Sequence, residues 1–150
     1  MIDVARDAGV GTMTVSRALR EPTKVNPETR QAVMTSVMKL GYVIDATAAA
    51  LSSKRTRIVG AVVSTLDQSI FAETIRGLTN GLQACGQQLL VATTDYDKGK
   101  ESELISAMIG RKPEAIVLTS SEHSESAISL IKAANILTIE TWEIPKKPIF

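Results

Sequence analysis

The run Thr12-Met13-Thr14-Val15-Ser16-Arg17 concentrates the groups of this 150-residue chain that suit recognition of a polyanion. Arg17 carries a planar guanidinium that pairs bidentately with a guanine edge, and the Thr14 and Ser16 hydroxyls suit phosphate oxygens. In a helix with Val15 turned inward, Thr12, Met13, Ser16 and Arg17 share the solvent face. Spacing alone also fits a plain helical hairpin with a solvated polar face, so the residues leave both readings open. Other chemistry is sparsely provided for. One cysteine, Cys85, and one histidine, His123, make neither a disulfide framework nor a zinc site. No Gly-x-Gly-x-x-Gly, phosphate-binding loop or Gly-x-Ser-x-Gly follows any strand-like run, and the histidine has no evident nucleophile beside it. The expectation is a protein that is not an enzyme and uses neither metal nor cofactor.

The elements that must hold the Thr12–Arg17 run are short. Val4, Ala5 and Ala8 lie at helical spacing, Gly9-Val10-Gly11 breaks the pattern, and Val15, Ala18 and Leu19 give a second apolar face. Two short helices joined by a Gly-containing turn have the geometry that lets the end of the second helix enter a DNA major groove. A third helix is signposted by Asn26 as N-cap, Pro27, Glu28 in the first turn, then Val33, Val37 and Leu40, with Gly41 as its stop. The expected core is Val4, Ala5, Ala8, Val10, Val15, Leu19, Val33, Val37, Leu40 and Tyr42. Residues 43–57, alanine-rich and then small, polar and basic, read as a linker that is helical only conditionally.

From Ile58 the pattern alternates. Apolar β-rich runs begin near Ile58, Gln88, Ala115 and Ile136, separated by amphipathic stripes. The stripes are Phe71, Ile75, Leu78, Leu82 and Cys85; Leu104, Ile105, Met108 and Ile109; and Ala127, Ile128, Leu130, Ile131 and Ala134. That order, β-α-β-α-β-α-β, implies a parallel sheet covered on both faces. Charge divides at the same place: residues 1–57 hold nine Lys/Arg and five Asp/Glu, residues 58–150 eight and eleven. A basic front and acidic back fit a chain of which only the first part faces a polyanion. With no apolar run of 18 residues and no secretory signal, the expectation is a cytoplasmic protein without a membrane partner.

Asp3-Val-Ala-(x2)-Ala8-Gly9-Val10-(x3)-Thr14-Val15-Ser16-Arg17, followed by Val25-(x3)-Thr29-Arg30 and Leu40-Gly41-Tyr42, resembles the headpiece of the lactose-repressor (LacI/GalR) family of bacterial transcription regulators. The likeness continues through Val59-Gly60-Ala61-Val62-Val63, Phe71-Ala72-Glu73 and Arg76-Gly77, which are similar to the family's periplasmic-binding-protein-like sensor domain. Within the family, Met13–Arg17, Ile70–Glu73 and His123 look most like the gluconate-operon repressor branch. The fold so implied is an all-α helix-turn-helix headpiece, residues 1–42, then a hinge helix and linker, 43–57, then part of a parallel-sheet α/β sensor lobe, 58–150.

The resemblance also implies roles. Residues matching Thr12, Met13 and Arg17 read base edges; those matching Thr14, Ser16, Asn26, Thr29 and Tyr42 hold phosphates; Lys24 lies near the backbone. Ala48 and Leu51 join the contact set from the hinge, Leu51 as a minor-groove wedge that unstacks a base step. Effector contacts are expected at strand carboxyl ends, at Thr65, Ser69, Phe71, Asp95, Ser120, His123 and Trp142, with Tyr96, Ser121 and Glu140 nearby. The implied function is a sequence-specific regulator, a repressor of a carbohydrate or sugar-acid operon. It would bind palindromic operator DNA as a homodimer seamed along Phe71–Cys85 and release it when a sugar acid such as gluconate binds. The departures are Ile44 and Asp45 in place of the family's Pro and Asn, and Ala49 in place of an Arg. Each lost phosphate contact lowers the salt slope by roughly 0.9. An upstream capping Thr and basic arm are also expected to be missing, and the 93 residues after Arg57 are expected to be a truncated sensor with weak or no effector binding. These departures keep an alternative open: a sugar-acid binding module with a vestigial headpiece and only weak non-specific DNA binding.

Overall fold

The computed structural model describes residues 1–120 and 122–149, with Ser52 described only through its backbone. The chain divides into two compact units, Met1–Ala46 and Thr47–Phe150. The first holds helices α1 (Ile2–Asp7), α2 (Thr12–Arg20) and α3 (Pro27–Leu40), with a 3-10 turn at Pro22–Lys24. Gly9 takes the left-handed conformation (φ +65°) that lets the chain reverse after α1, and the Val10 amide closes the turn on the Ala5 carbonyl at 3.0 Å. The Asn26 side chain accepts from the Glu28 amide at 2.9 Å, capping α3 behind Pro27.

The unit's core is Val4, Ala5, Val15, Ala18 and Val33, flanked by Ala8, Val10, Leu19, Val37 and Tyr42. Leu40, expected among them, is 45% exposed. The reason is local: Gly41 (φ +58°) turns the chain back, the Tyr42 amide donates to the Val37 carbonyl at 3.0 Å, and Tyr42 packs on the core instead. From the first unit's last residue onward, the segment read as conditionally helical forms α4 (Ala46–Ser53).

In the second unit β1 (Ile58–Val63), β2 (Gln88–Thr93), β3 (Ala115–Leu118) and β4 (Leu137–Glu140) form one parallel sheet in the order β2-β1-β3-β4. Helices α5 (Ser69–Ala84), α6 (Lys98–Ile109) and α7 (Glu125–Ala134) connect the strands. Strand alternation sorts the core. Val62, Ile116 and Leu118 point to Ile105, Met108, Ala127 and Ile131 of α6 and α7, whereas Val59, Ala61, Ala115 and Val117 meet Ile75, Leu78 and Leu82 of α5. Cys85, expected on the α5 stripe, is exposed because the helix ends one residue before it and Cys85 serves as its C-cap. Among the described residues no helix is long and apolar enough to cross a membrane.

Ile105 is fully buried at the centre of the larger cluster. Ile105→Ala is expected to destabilise the second unit by about 2–5 kcal/mol, measured by urea titration of the far-ultraviolet circular dichroism.

Candidate functional site

Burial of Val15 and Ala18 fixes how α2 is rotated, and the groups with recognition chemistry fall opposite them. Thr12, Met13 and Arg17 are exposed, Met13 by 73%, while Thr14 and Ser16 are half-buried at the flanks. No side chain caps α2, whose N-cap is Gly11. Lys24 is exposed and pairs with Glu21 at 2.8 Å, Asn26 caps α3, and Thr29 and Tyr42 are half-buried. On α4, Ala48 is exposed and Leu51 is 84% exposed, an isolated large apolar side chain presented to solvent. Lys39 joins Asp7 at 2.6 Å, tying α3 to α1, and its hydrogen bond holds the Asp7 carboxyl below the usual carboxylate range.

A second locus lies where β1, β2 and β3 end. A recess of about 110 Å³ is lined by Ser64, Thr94, Tyr96, Lys98, Glu101, Thr119, Ser120, Glu122 and His123 among others. Of the residues expected there, Ser120, His123 and Tyr96 line it; Thr65, Ser69, Phe71, Asp95 and Trp142 do not. Thr65 is buried, and its hydroxyl accepts from the Asp67 amide at 3.1 Å, a turn-stabilising role. Ser69 is exposed on the first turn of α5, and Asp95 is exposed with Lys100 at 3.8 Å. Phe71 and Trp142 stack in parallel, centroids 4.7 Å apart, leaving Trp142 42% exposed above the buried Phe71. Ser121 lies outside the described residues. The sequence reading missed Thr94, Lys98, Glu101, Thr119 and Glu122. Thr94 and Thr119, each directly after a strand, carry a positional signal, but Glu101, in the first turn of α6, reads as an ordinary helix-start carboxylate.

His123 is the electrostatic centre of that region. Its Nδ1 lies 2.6 Å from Glu101 Oε1, and the Ser124 amide donates to Glu101 Oε2 at 3.1 Å. On the other side Nε2 lies 3.5 Å from Glu140 Oε1, and neither atom has a hydrogen-bond partner among the described residues. The Ile149 amide donates to Glu140 Oε2 at 3.0 Å. Burial alone depresses an imidazole's pKa, yet the hydrogen bond and charge of Glu101, with the charge of Glu140, outweigh it and raise that of His123. An imidazolium satisfies a carboxylate on each side; a neutral ring turns a lone pair toward one of them. Lys98 and Glu122 pair at 2.7 Å, both largely exposed. Among the described residues no cluster of His, Cys, Asp and Glu is arranged to hold a metal ion.

Comparison with known proteins bears on both loci. Residues 1–45 match the family model described as bacterial regulatory proteins of the lacI family, and residues 56–145 match that of periplasmic binding proteins and the sugar binding domain of the LacI family. The HTH-type transcriptional regulator GntR of Pseudomonas aeruginosa is 35% identical over 134 residues, 89% of this chain and 39% of that protein. The crystal structure of a LacI family transcriptional regulator from Silicibacter pomeroyi superimposes with a TM-score of 0.87 at 34% identity, over 99% of this chain and 44% of that one. The lac repressor dimer bound to operator and the anti-inducer ONPF shares the fold, with a TM-score of 0.78 at 20% identity over 92% of this chain and 42% of that one. The chain thus spans about two-fifths of the length of the curated relatives it matches, 39% in the first case.

The His123 arrangement predicts a pH dependence with a definite sign. Because its folded-state pKa lies above the ordinary 6.5, its contribution to stability is complete below that value and is lost as pH rises through the raised one. The urea midpoint of the second unit is expected to fall between pH 6 and pH 9, and His123→Gln to flatten that slope.

Proposed function

The chain belongs to the lacI family of bacterial regulatory proteins, and from that premise we propose that it is a sequence-specific DNA-binding transcriptional regulator, a cytoplasmic repressor of a carbohydrate or sugar-acid operon. The observation that carries the reading is the rotation of α2. Its buried Val15 and Ala18 leave Thr12, Met13 and Arg17 facing outward on a rigid element. Laid in a major groove, Arg17 pairs with a guanine edge while Thr12 and Met13 contact neighbouring bases. Thr14, Ser16, Asn26, Thr29, Tyr42 and Lys24 then hold the phosphates on either side, Lys24 exchanging Glu21 for a phosphate oxygen. Ala48 and Leu51 of α4 enter the minor groove, where the exposed leucine wedges into a base step. The functional division so proposed is a headpiece at 1–42, a hinge at 43–57 and sensor sequence from 58 onward. A palindromic operator and a homodimer follow from the same reading, each headpiece taking one half-site.

The strand-end recess supports the effector side of the reading. Its hydroxyls from Thr94, Ser120 and Tyr96 and the Lys98 ammonium suit a polyhydroxylated acid such as gluconate, the hydroxyls bonding its OH groups and the ammonium its carboxylate. His123 contributes from beneath, as the charge that holds Glu101 and Glu140 in place. Tight sugar-acid binding with no duplex preference would instead favour a binding module whose headpiece has lost its role.

Fluorescence anisotropy with a palindromic duplex carrying a central CG step, beside a scrambled one, tests the proposal across a salt series. The expected result is a steep fall of affinity with salt and preference for the palindrome. Arg17→Ala is expected to lose about 1–3 kcal/mol on the palindrome and little on the scrambled duplex. Equal, weak binding to both duplexes contradicts sequence-specific regulation.

A further inference from the structure

Glu114, the residue before β3, gathers four donors on its two oxygens. Arg55 donates from Nε at 3.3 Å and from Nη2 at 2.7 Å, the Arg57 amide at 2.9 Å and Gln87 Nε2 at 3.2 Å. The Arg55 guanidinium, with the Arg57 amide and Gln87 behind it, holds this carboxyl down at about 2, so it stays ionised under any physiological condition. The residue between the two arginines is also tied down: Thr56 Oγ1 donates to the Lys112 carbonyl at 2.8 Å. Upstream, Ser53 Oγ donates to the Ala49 carbonyl at 2.8 Å and accepts from the Arg55 amide at 3.3 Å, marking where α4 stops.

The backbone of this connector is strained. Lys54 and Arg57 both sit in the left-handed region, φ 58° and 57°, where a side chain's β-carbon crowds the backbone and where neither glycine nor asparagine relieves it. Such residues persist only where surrounding contacts over-determine them. Here those contacts converge on one carboxylate: Arg55 lies between the two strained residues, and the Arg57 amide is itself one of the four donors. The connector's path, and with it the exit of α4, therefore depends on Glu114.

We propose that Glu114 is a positioning residue for DNA binding, its grip on Arg55 and Arg57 holding residues 54–57 in their strained path so that α4 presents Leu51 in the orientation the minor groove requires. The inference rests on the DNA-binding reading above and adds to it the part that sets the hinge. When the grip opens, Lys54 and Arg57 relax toward ordinary φ values and Leu51 loses its fixed presentation, while the recognition face of α2 is untouched.

Glu114→Gln separates this role from plain charge. Removing a negative charge from the protein raises its attraction for any duplex. Loss of the clamp instead weakens binding to the palindrome. Anisotropy on both duplexes is to be measured for the unsubstituted chain, Glu114→Gln, Leu51→Ala and the double variant, with circular dichroism melts as the folding control. The expected result is a loss of about tenfold on the palindrome for Glu114→Gln, none on the scrambled duplex, and less than about twofold further loss when Leu51 is already alanine. Palindrome binding by Glu114→Gln equal to or tighter than the unsubstituted chain, or losses that simply add, overturns the proposal. If Glu114→Gln fails to fold, Arg55→Gln, on the exposed side of the clamp, is judged for the palindrome loss and its dependence on Leu51. An unsubstituted chain without palindrome preference contradicts the DNA-binding reading itself, and this inference falls with it.

Discussion

Two small side chains, Val15 and Ala18, decide which way the second helix of the first unit faces. Both are enclosed by Val4, Ala5 and Val33. A unit of this size buries little apolar surface, so its stability rests on few contacts. Rotating α2 by one residue, about 100°, would put Thr14 or Ser16 in place of Val15 and leave a hydroxyl without a partner in the core. That penalty is what keeps Thr12, Met13 and Arg17 outward. The exposed Lys39–Asp7 pair between helices adds little beside it. The proposed reading of base edges needs a rigid presenting surface, and here the rigidity comes from the core rather than from surface charge.

In the second unit one pair of strands runs between two features of the structure. β1 and β3 pair directly, and their carboxyl ends, Val62 with Leu118, open into the recess around His123. At their amino ends the Glu114 amide donates to the Ile58 carbonyl at 2.7 Å, and the Glu114 side chain grips the connector from α4. The six residues of β1 span about 20 Å between those ends. β1 and β3 are the buried strands of the sheet, packed by α5 on one face and by α6 and α7 on the other, and such packing makes the pair stiff. The recess and the connector after α4 thus lie at opposite ends of one stiff pair of strands.

The sequence was most legible where structure is local. Asn26-Pro27-Glu28 and Gly41 mark the ends of α3 because a cap involves residues two or three apart. β1 and β3 read as parallel strands because burial on both faces leaves their apolar runs unbroken, whereas β4 at the sheet edge leaves Leu137 66% and Ile139 50% exposed. Leu40 was misplaced because helical period says nothing about where the chain turns away, and Gly41 hands the core position to Tyr42. Cys85 continued a stripe whose helix had already ended. Glu101 and Glu114 were invisible for a different reason. Their partners lie 22 and 59 residues away, and no local pattern distinguishes them from solvated surface carboxylates.

In the proposed DNA complex the outward face of α2 and the exposed leucine of α4 both meet the duplex. The most direct measurement is a set of amide chemical-shift changes in the isotope-labelled chain, recorded on titration with a palindromic duplex at moderate salt. The expected result is shifts concentrated at residues 12–17 and 46–53. Shifts scattered over basic residues of both units, or confined to the recess, would contradict it.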